Sequence, residues 1–192
     1  MSAGELKRDK RRVRRAVLEA RDSLTPADRR RSAAAIADRF LALPEVERAT
    51  AVMLFWSFGS EVETAPMIER LHDRGATVAL PRIEQRELVP VRYAPGDPTT
   101  PTSFGAREPA GPGLLDPREL EVVAVPAVAV DRGGRRIGYG GGFYDRFLPG
   151  TPAARIVPVF EIQLVDEDLP SGPGDVGVDA IVTERETIRV ST

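Results

Sequence analysis

Cysteine is absent from the 192 residues. That excludes disulfide frameworks, cysteine-based zinc sites and thiol catalysis, and leaves folding indifferent to the redox state of the compartment. Histidine occurs once, and His72, flanked by Leu71 and Asp73 in a helical pattern, reads as a surface residue with no acid–base role. No apolar run reaches about 18 residues and the first residues are charged, so neither a membrane span nor a signal peptide is expected, and the cytoplasm is the default location. Internal repeats and low-complexity tracts are missing as well.

The length suits one domain over residues 1–192, large enough to bury a core unaided. A net charge of −2 hides an asymmetry, because residues 1–31 carry 11 Lys and Arg against 5 Asp and Glu. A basic arm on an acidic body points to a local anion site rather than a broad nucleic-acid surface.

The most informative stretch is residues 131–149, DRGGRRIGYGGGFYDRFLP. It follows an apolar run, Val122 to Val130, that reads as a strand buried on both faces, and it leads into a short helical segment from Tyr144 to Leu148. Gly138, Gly140, Gly141 and Gly142 allow the backbone a close approach to an anion, and the helix start adds unpaired N–H groups. Arg135 and Arg136 stand ready to neutralise phosphate oxygens, and Asp145 to hold a divalent cation. Glycine clusters are more often plain loops, and neither GxxxxGK[ST] nor GxGxxG is properly matched here.

Elsewhere the pattern alternates helices and strands. Leu6 to Arg21 reads as a thinly apolar helix on which Lys10 and Arg14, four apart, share a face and could reach one phosphate chain. A solvated basic face and nucleic-acid binding by Lys7 to Arg15 are the competing readings. Thr25-Pro26-Ala27-Asp28 reads as the start of a second helix running to about Leu43. The strand Ala51 to Phe55 ends in Trp56-Ser57-Phe58-Gly59-Ser60-Glu61-Val62-Glu63-Thr64. A loop at a strand's carboxyl end suits recognition, with Trp56 and Phe58 against a flat heterocycle and Glu61 accepting its N–H donors. Core packing and a helix-entry charge are the plainer alternatives. A helix from Thr64 to Arg74 and a strand from Thr77 to Leu80 follow. Residues 84–120, rich in Pro and Gly, read as mostly loop with one strand at Leu88 to Tyr93. Two further strands fall at Ala154 to Phe160 and Val178 to Val182, the second containing Asp179, for which a bond to backbone is the plain reading. Strands alternating with helices argue for a mostly parallel α/β sheet covered on both faces.

Residues 136–146, RIGYGGGFYDR, resemble the R-L-G-Y-G-G-G-Y-Y-D-R signature of the 5-formyltetrahydrofolate cyclo-ligases, also called methenyltetrahydrofolate synthetases, with Ile137 and Phe143 as mild departures. Lys10, Arg14, Arg21 and Leu24-Thr25 are similar to that family's amino-terminal pattern, and Trp56 with Glu61-Val62-Glu63-Thr64 to its folate-contacting element. Pro81-Arg82, a loose counterpart in Phe104 to Pro109, and Val178 to Glu184 extend the likeness. Before the last of these the family shows an E-x-H/W-D element, where this chain has Pro173-Gly174-Asp175. The resemblance implies a three-layer αβα fold of Rossmann-like type and ATP-dependent closure of 5-formyltetrahydrofolate to 5,10-methenyltetrahydrofolate. It implies ATP binding by Lys10, Arg14, Arg136, Gly138, Tyr139, Gly140, Gly141, Gly142 and Tyr144, and folate binding by Trp56, Glu61 and Tyr144. Asp145 and Asp179 would hold magnesium (Mg2+), with no side chain acting as nucleophile. The expected partners are ATP and a reduced folate, not nucleic acid or membrane, and the expected state is a monomer. A catalytically silent relative that binds nucleotide or folate is the alternative.

Overall fold

A computed structural model describes residues 2–103 and 105–191. Helix α1 (Ala3–Asp22) begins three residues before the expected start, because Ser2 and Glu5 form a reciprocal capping box over its first turn. Thr25 caps α2 (Pro26–Leu41), its Oγ1 accepting from the Asp28 amide at 3.1 Å, as the sequence pattern implied. The short helix α3 (Pro44–Arg48) leads to strand β1 (Ala51–Met53), and α4 (Ala65–Asp73) ends at Gly75, which takes φ +85°. His72 is exposed on α4.

Strand β2 (Thr77–Glu84) runs well past its expected end, since its second half pairs antiparallel with β3 (Glu87–Arg92) around a two-residue turn with positive φ at Gln85 and Arg86. The Pro- and Gly-rich stretch adds a small ribbon of β4 (Thr99–Pro101) and β5 (Arg107–Pro109). The run from Val122 to Val130 is not one strand. It breaks around Pro126, which has no N–H to offer a ladder, into β6 (Val122–Ala124) of the main sheet and β7 (Ala129–Asp131) of a second, smaller one. Both halves are fully buried, so alternation could not reveal the break. Then come β8 (Arg136–Ile137), α5 (Phe143–Phe147), β9 (Ala154–Pro158), β10 (Leu164–Val165), β11 (Ala180–Val182) and β12 (Thr187–Arg189).

The main sheet has the order β12-β11-β9-β6-β1-β2-β3. Its five inner strands run parallel and both edge strands antiparallel. One face buries Ile36, Phe40, Met67 and Leu71 from α2 and α4, and the other packs Phe147 and Leu148 of the α5 region against Val123, Val157 and Ile181. This is an α/β fold with a mostly parallel sheet and helical cover on both faces. Helix α1 docks through Val17 on the small sheet β10-β7-β8, against Val128, Ala129 and Ile137. The β1 and β6 chains leave neighbouring strands in opposite directions, which opens a crevice at their carboxyl ends.

Candidate functional site

In that crevice lies a cavity of about 920 Å³. Three groups of residues meet there. Helix α1 presents Leu6, Lys7, Lys10, Arg11 and Arg14; the segment after β1 supplies Phe55, Trp56, Phe58 and Glu61; and the glycine turn contributes Arg136 to Asp145. Spacing of three and four residues along α1 turns those side chains to one face.

The glycine turn begins where β8 leaves the small sheet. Gly140 (φ +106°) and Gly142 (φ +66°) hold conformations that side-chain-bearing residues rarely adopt. A Cβ on Gly140 would also come within 3.5 Å of the Arg14 guanidinium, whose Nε donates to the Gly138 carbonyl at 2.7 Å. Helix α1 is thereby stitched to the turn. Arg146 holds the other side, donating to the Gly141 carbonyl at 3.2 Å and to the Arg86 carbonyl in the strained hairpin tip at 3.1 Å.

Arg136 is buried and pairs with Asp145, Nη2 to Oδ1 at 2.7 Å, while the Val176 amide donates to the same oxygen. Arg136 Nε and the Tyr144 hydroxyl are buried without a partner among the described residues. Burial, then the nearby Glu61 charge, pushes the Tyr144 hydroxyl up, so it stays a neutral donor. Lys10 pairs with Asp175. Burial raises the Asp175 carboxyl, but Lys10 and the Gly172 amide outweigh it and leave its pKa lowered.

The segment after β1 is clasped at both ends. Thr64 Oγ1 donates to the Phe55 carbonyl at 2.6 Å and accepts from the Ser57 amide, and Glu61 Oε2 accepts from the Phe58 amide at 3.0 Å. Trp56 meets the Tyr93 ring edge-on at 5.7 Å and also lines the cavity. The Phe58 and Tyr139 rings lie 5.1 Å apart. Burial pushes the Glu61 carboxyl up, opposed by the Phe58 amide, Tyr139 and Arg21.

The cavity thus unites Lys10, Arg14, Trp56, Glu61, Arg136, the turn Gly138 to Gly142, Tyr144 and Asp145. It does not include Asp179. That residue stands exposed at the amino end of β11, at the opposite edge of the sheet, where its Oδ2 accepts from the Arg155 amide at 2.7 Å. The pairing of Asp179 with Asp145 is therefore not met, and the bond to backbone is what the carboxylate makes. Arg135, too, turns away, to Asp131 and Asp168. Asp175, Arg107, Glu108 and the buried Arg21 were not singled out for the site by sequence reasoning. Phe104 lies outside the described residues, but its neighbours Ala106, Arg107 and Glu108 line the cavity.

Comparison with known proteins converges. A model of the 5-formyltetrahydrofolate cyclo-ligase family matches residues 6–184. The 5-formyltetrahydrofolate cyclo-ligase of Escherichia coli (strain K12) is 34% identical over 179 residues, covering 87% of this chain and 96% of that one. Its counterpart in Mycolicibacterium smegmatis is 33% identical over 190 residues, with 94% and 96% covered. The solved structure of Aquifex aeolicus 5,10-methenyltetrahydrofolate synthetase superposes with a TM-score of 0.85 at 29% identity, covering 95% of this chain and 93% of that one.

Proposed function

The chain belongs to the 5-formyltetrahydrofolate cyclo-ligase family, and from that premise we propose that it closes 5-formyltetrahydrofolate to 5,10-methenyltetrahydrofolate at the expense of ATP, releasing ADP and phosphate. One observation carries the assignment of roles: a cationic helix face, a glycine turn and a loop bearing an aromatic and a carboxylate all open into one cavity. Its size admits two ligands side by side.

The triphosphate lies along Lys10, Arg14 and the Gly138 to Gly142 turn, with Arg136, Tyr139 and Tyr144 completing the nucleotide contacts. The pterin lies against Trp56, its N–H donors on Glu61, and Tyr144 is shared between the two ligands. The formyl oxygen attacks the γ-phosphorus as the bond to ADP breaks, giving an activated iminium ester. The second folate nitrogen then attacks the formyl carbon, loses its proton and expels phosphate. Both nucleophiles come from the folate, so the protein's work is alignment and neutralisation of charge. This explains how a chain without cysteine and with one exposed histidine can catalyse the reaction.

Magnesium is compatible with this donor set. Magnesium ordinarily takes one or two carboxylates together with substrate phosphates, and no group of three or more His, Cys, Asp or Glu forms a cage among the described residues. Asp145 uses only Oδ1 for Arg136 and Val176, leaving Oδ2 for an ion arriving with the nucleotide. Such an ion would neutralise the triphosphate and polarise the γ-phosphoryl group. The same reading takes the working unit to be a monomer spanning residues 1–192, acting in the cytoplasm on small molecules rather than nucleic acid.

Purified protein with MgATP and 5-formyltetrahydrofolate should generate methenyl absorbance, with ADP and phosphate formed one to one with product. The reduced folate should change the fluorescence of Trp56, the sole tryptophan. Binding without product would identify a silent relative, and the absence of both signals would refute the assignment.

A further inference from the structure

Arg21 is the most deeply buried charge on α1, 3% exposed, and among the described residues no carboxylate stands within ion-pair distance of it. Its Nε donates to Ser60 Oγ at 2.9 Å and its Nη2 to the Tyr139 hydroxyl at 3.0 Å, while Nη1 is buried without a partner. A guanidinium taken out of water with no carboxylate in ion-pair contact is a costly arrangement, of the kind that persists where function requires it. Its bonds tie together three separate parts of the site. Ser60, in the loop that ends at Glu61, also bonds Asp22, and Tyr139 belongs to the glycine turn. Arg21 and Glu61 line the same small cavity beside Phe55 and Gln163.

We propose that Arg21 is a positioning residue for the reduced-folate subsite, fixing the Ser60-Glu61 segment against Tyr139 and holding the Glu61 carboxylate ready as an acceptor. The inference rests on the assignment of Glu61 to the folate. The groups facing Glu61 are the Phe58 amide of its own loop, Arg21 of α1, Tyr139 of the glycine turn and Tyr144 of α5; Asp22 lies beyond Ser60. Burial favours a protonated Glu61 and the Arg21 cation favours the ionised form, so the only full charge opposing protonation is the one without an ion pair. An ionised Glu61 accepts from the N–H donors of a pterin; a protonated one accepts poorly.

The test compares wild type with Arg21→Met, Arg21→Lys and Ser60→Ala, measuring KM for each substrate and the pH dependence of kcat/KM for the reduced folate. Arg21→Met should raise the folate KM about tenfold or more, change the ATP KM by less than about threefold, and move the acid limb to higher pH by about one unit. Arg21→Lys should return the limb towards wild type while retaining part of the KM rise, because one ammonium cannot bridge Ser60 and Tyr139 as a guanidinium does. A folded Arg21→Met protein with unmoved limb and folate KM overturns the inference, as does an equal loss for both substrates accompanied only by a lower Tm. If Arg21→Met does not fold, Ser60→Ala decides: a folate KM raised about threefold or more with an unchanged ATP KM supports the inference, and an unchanged folate KM overturns it. A wild type that makes no product refutes the assignment of function, and this inference with it.

Discussion

Lys10 is assigned to phosphate, yet in the structure its ammonium pairs with Asp175. Asp175→Asn tests that exchange. The two side chains are 19% and 24% exposed, so their bond is stronger than a surface ion pair and weaker than a dry one. Charge-assisted hydrogen bonds contribute about 1.5–3 kcal/mol, and discounting for screening leaves about 1–2 kcal/mol here. The pair docks the 171–175 loop on the start of α1, where Leu6 sits so close to Gly172 that a Cβ there would lie 2.8 Å from the leucine methyl. Losing it should lower stability in urea by about that 1–2 kcal/mol. Because Asp175 has a lowered pKa, its contribution is complete above the ordinary carboxylate range and fades as pH falls through the lowered value. The opposite change is expected for nucleotide. Removing one negative charge a few ångströms from the phosphates relieves about 1 kcal/mol of repulsion, so ATP measured by calorimetry at low salt should bind about fivefold more tightly, with the gain shrinking as salt is added. Lys10→Ala should weaken binding, and the double variant should show a coupling of about 1 kcal/mol in stability. Weaker MgATP binding by Asp175→Asn would refute the reasoning, since Asp175 would then hold the metal side of the site. A strictly additive stability cycle would remove the ion pair.

Two further outcomes are expected. Asp179→Ala should cost about 1 kcal/mol in denaturant through loss of the Arg155 amide bond, and leave the MgATP KM within about twofold; a tenfold rise would return Asp179 to the metal. Gly140→Ala forces a Cβ onto backbone at φ +106° and against Arg14, so it should cost about 1–3 kcal/mol of stability and raise the ATP KM about tenfold or more. An unchanged ATP KM would show that this turn does not carry the triphosphate.

Much of this architecture could be read before any coordinates existed. The cap at Thr25, the face shared by Lys10 and Arg14 and the loop from Trp56 to Thr64 are local, and local chemistry determines them. What escaped reading depends on the third dimension. The resemblance alone tied Asp179 to magnesium, and nothing local in so short a strand shows that this carboxylate stands at its amino end, away from the cavity. The ribbon of β4 and β5 lacks apolar alternation and resembles loop. Asp175 gains its meaning from a helix 165 residues away. Arg21 alone left a usable signal, because Lys10, Arg14, Val17 and Arg21 follow one another at four, three and four residues and therefore lie along a single stripe.

That stripe makes α1 a gauge. Eleven residues at about 1.5 Å each set Lys10 and Arg21 roughly 16 Å apart along a rigid rod, the one proposed for the triphosphate and the other for the pterin subsite. Inserting or deleting one residue between them would swing the two ends out of phase by about 100° without touching either side chain. On the proposed roles, exposed residues of this helix that face away from the cavity are open to exchange, whereas its length between those two points is set by the distance between two ligands.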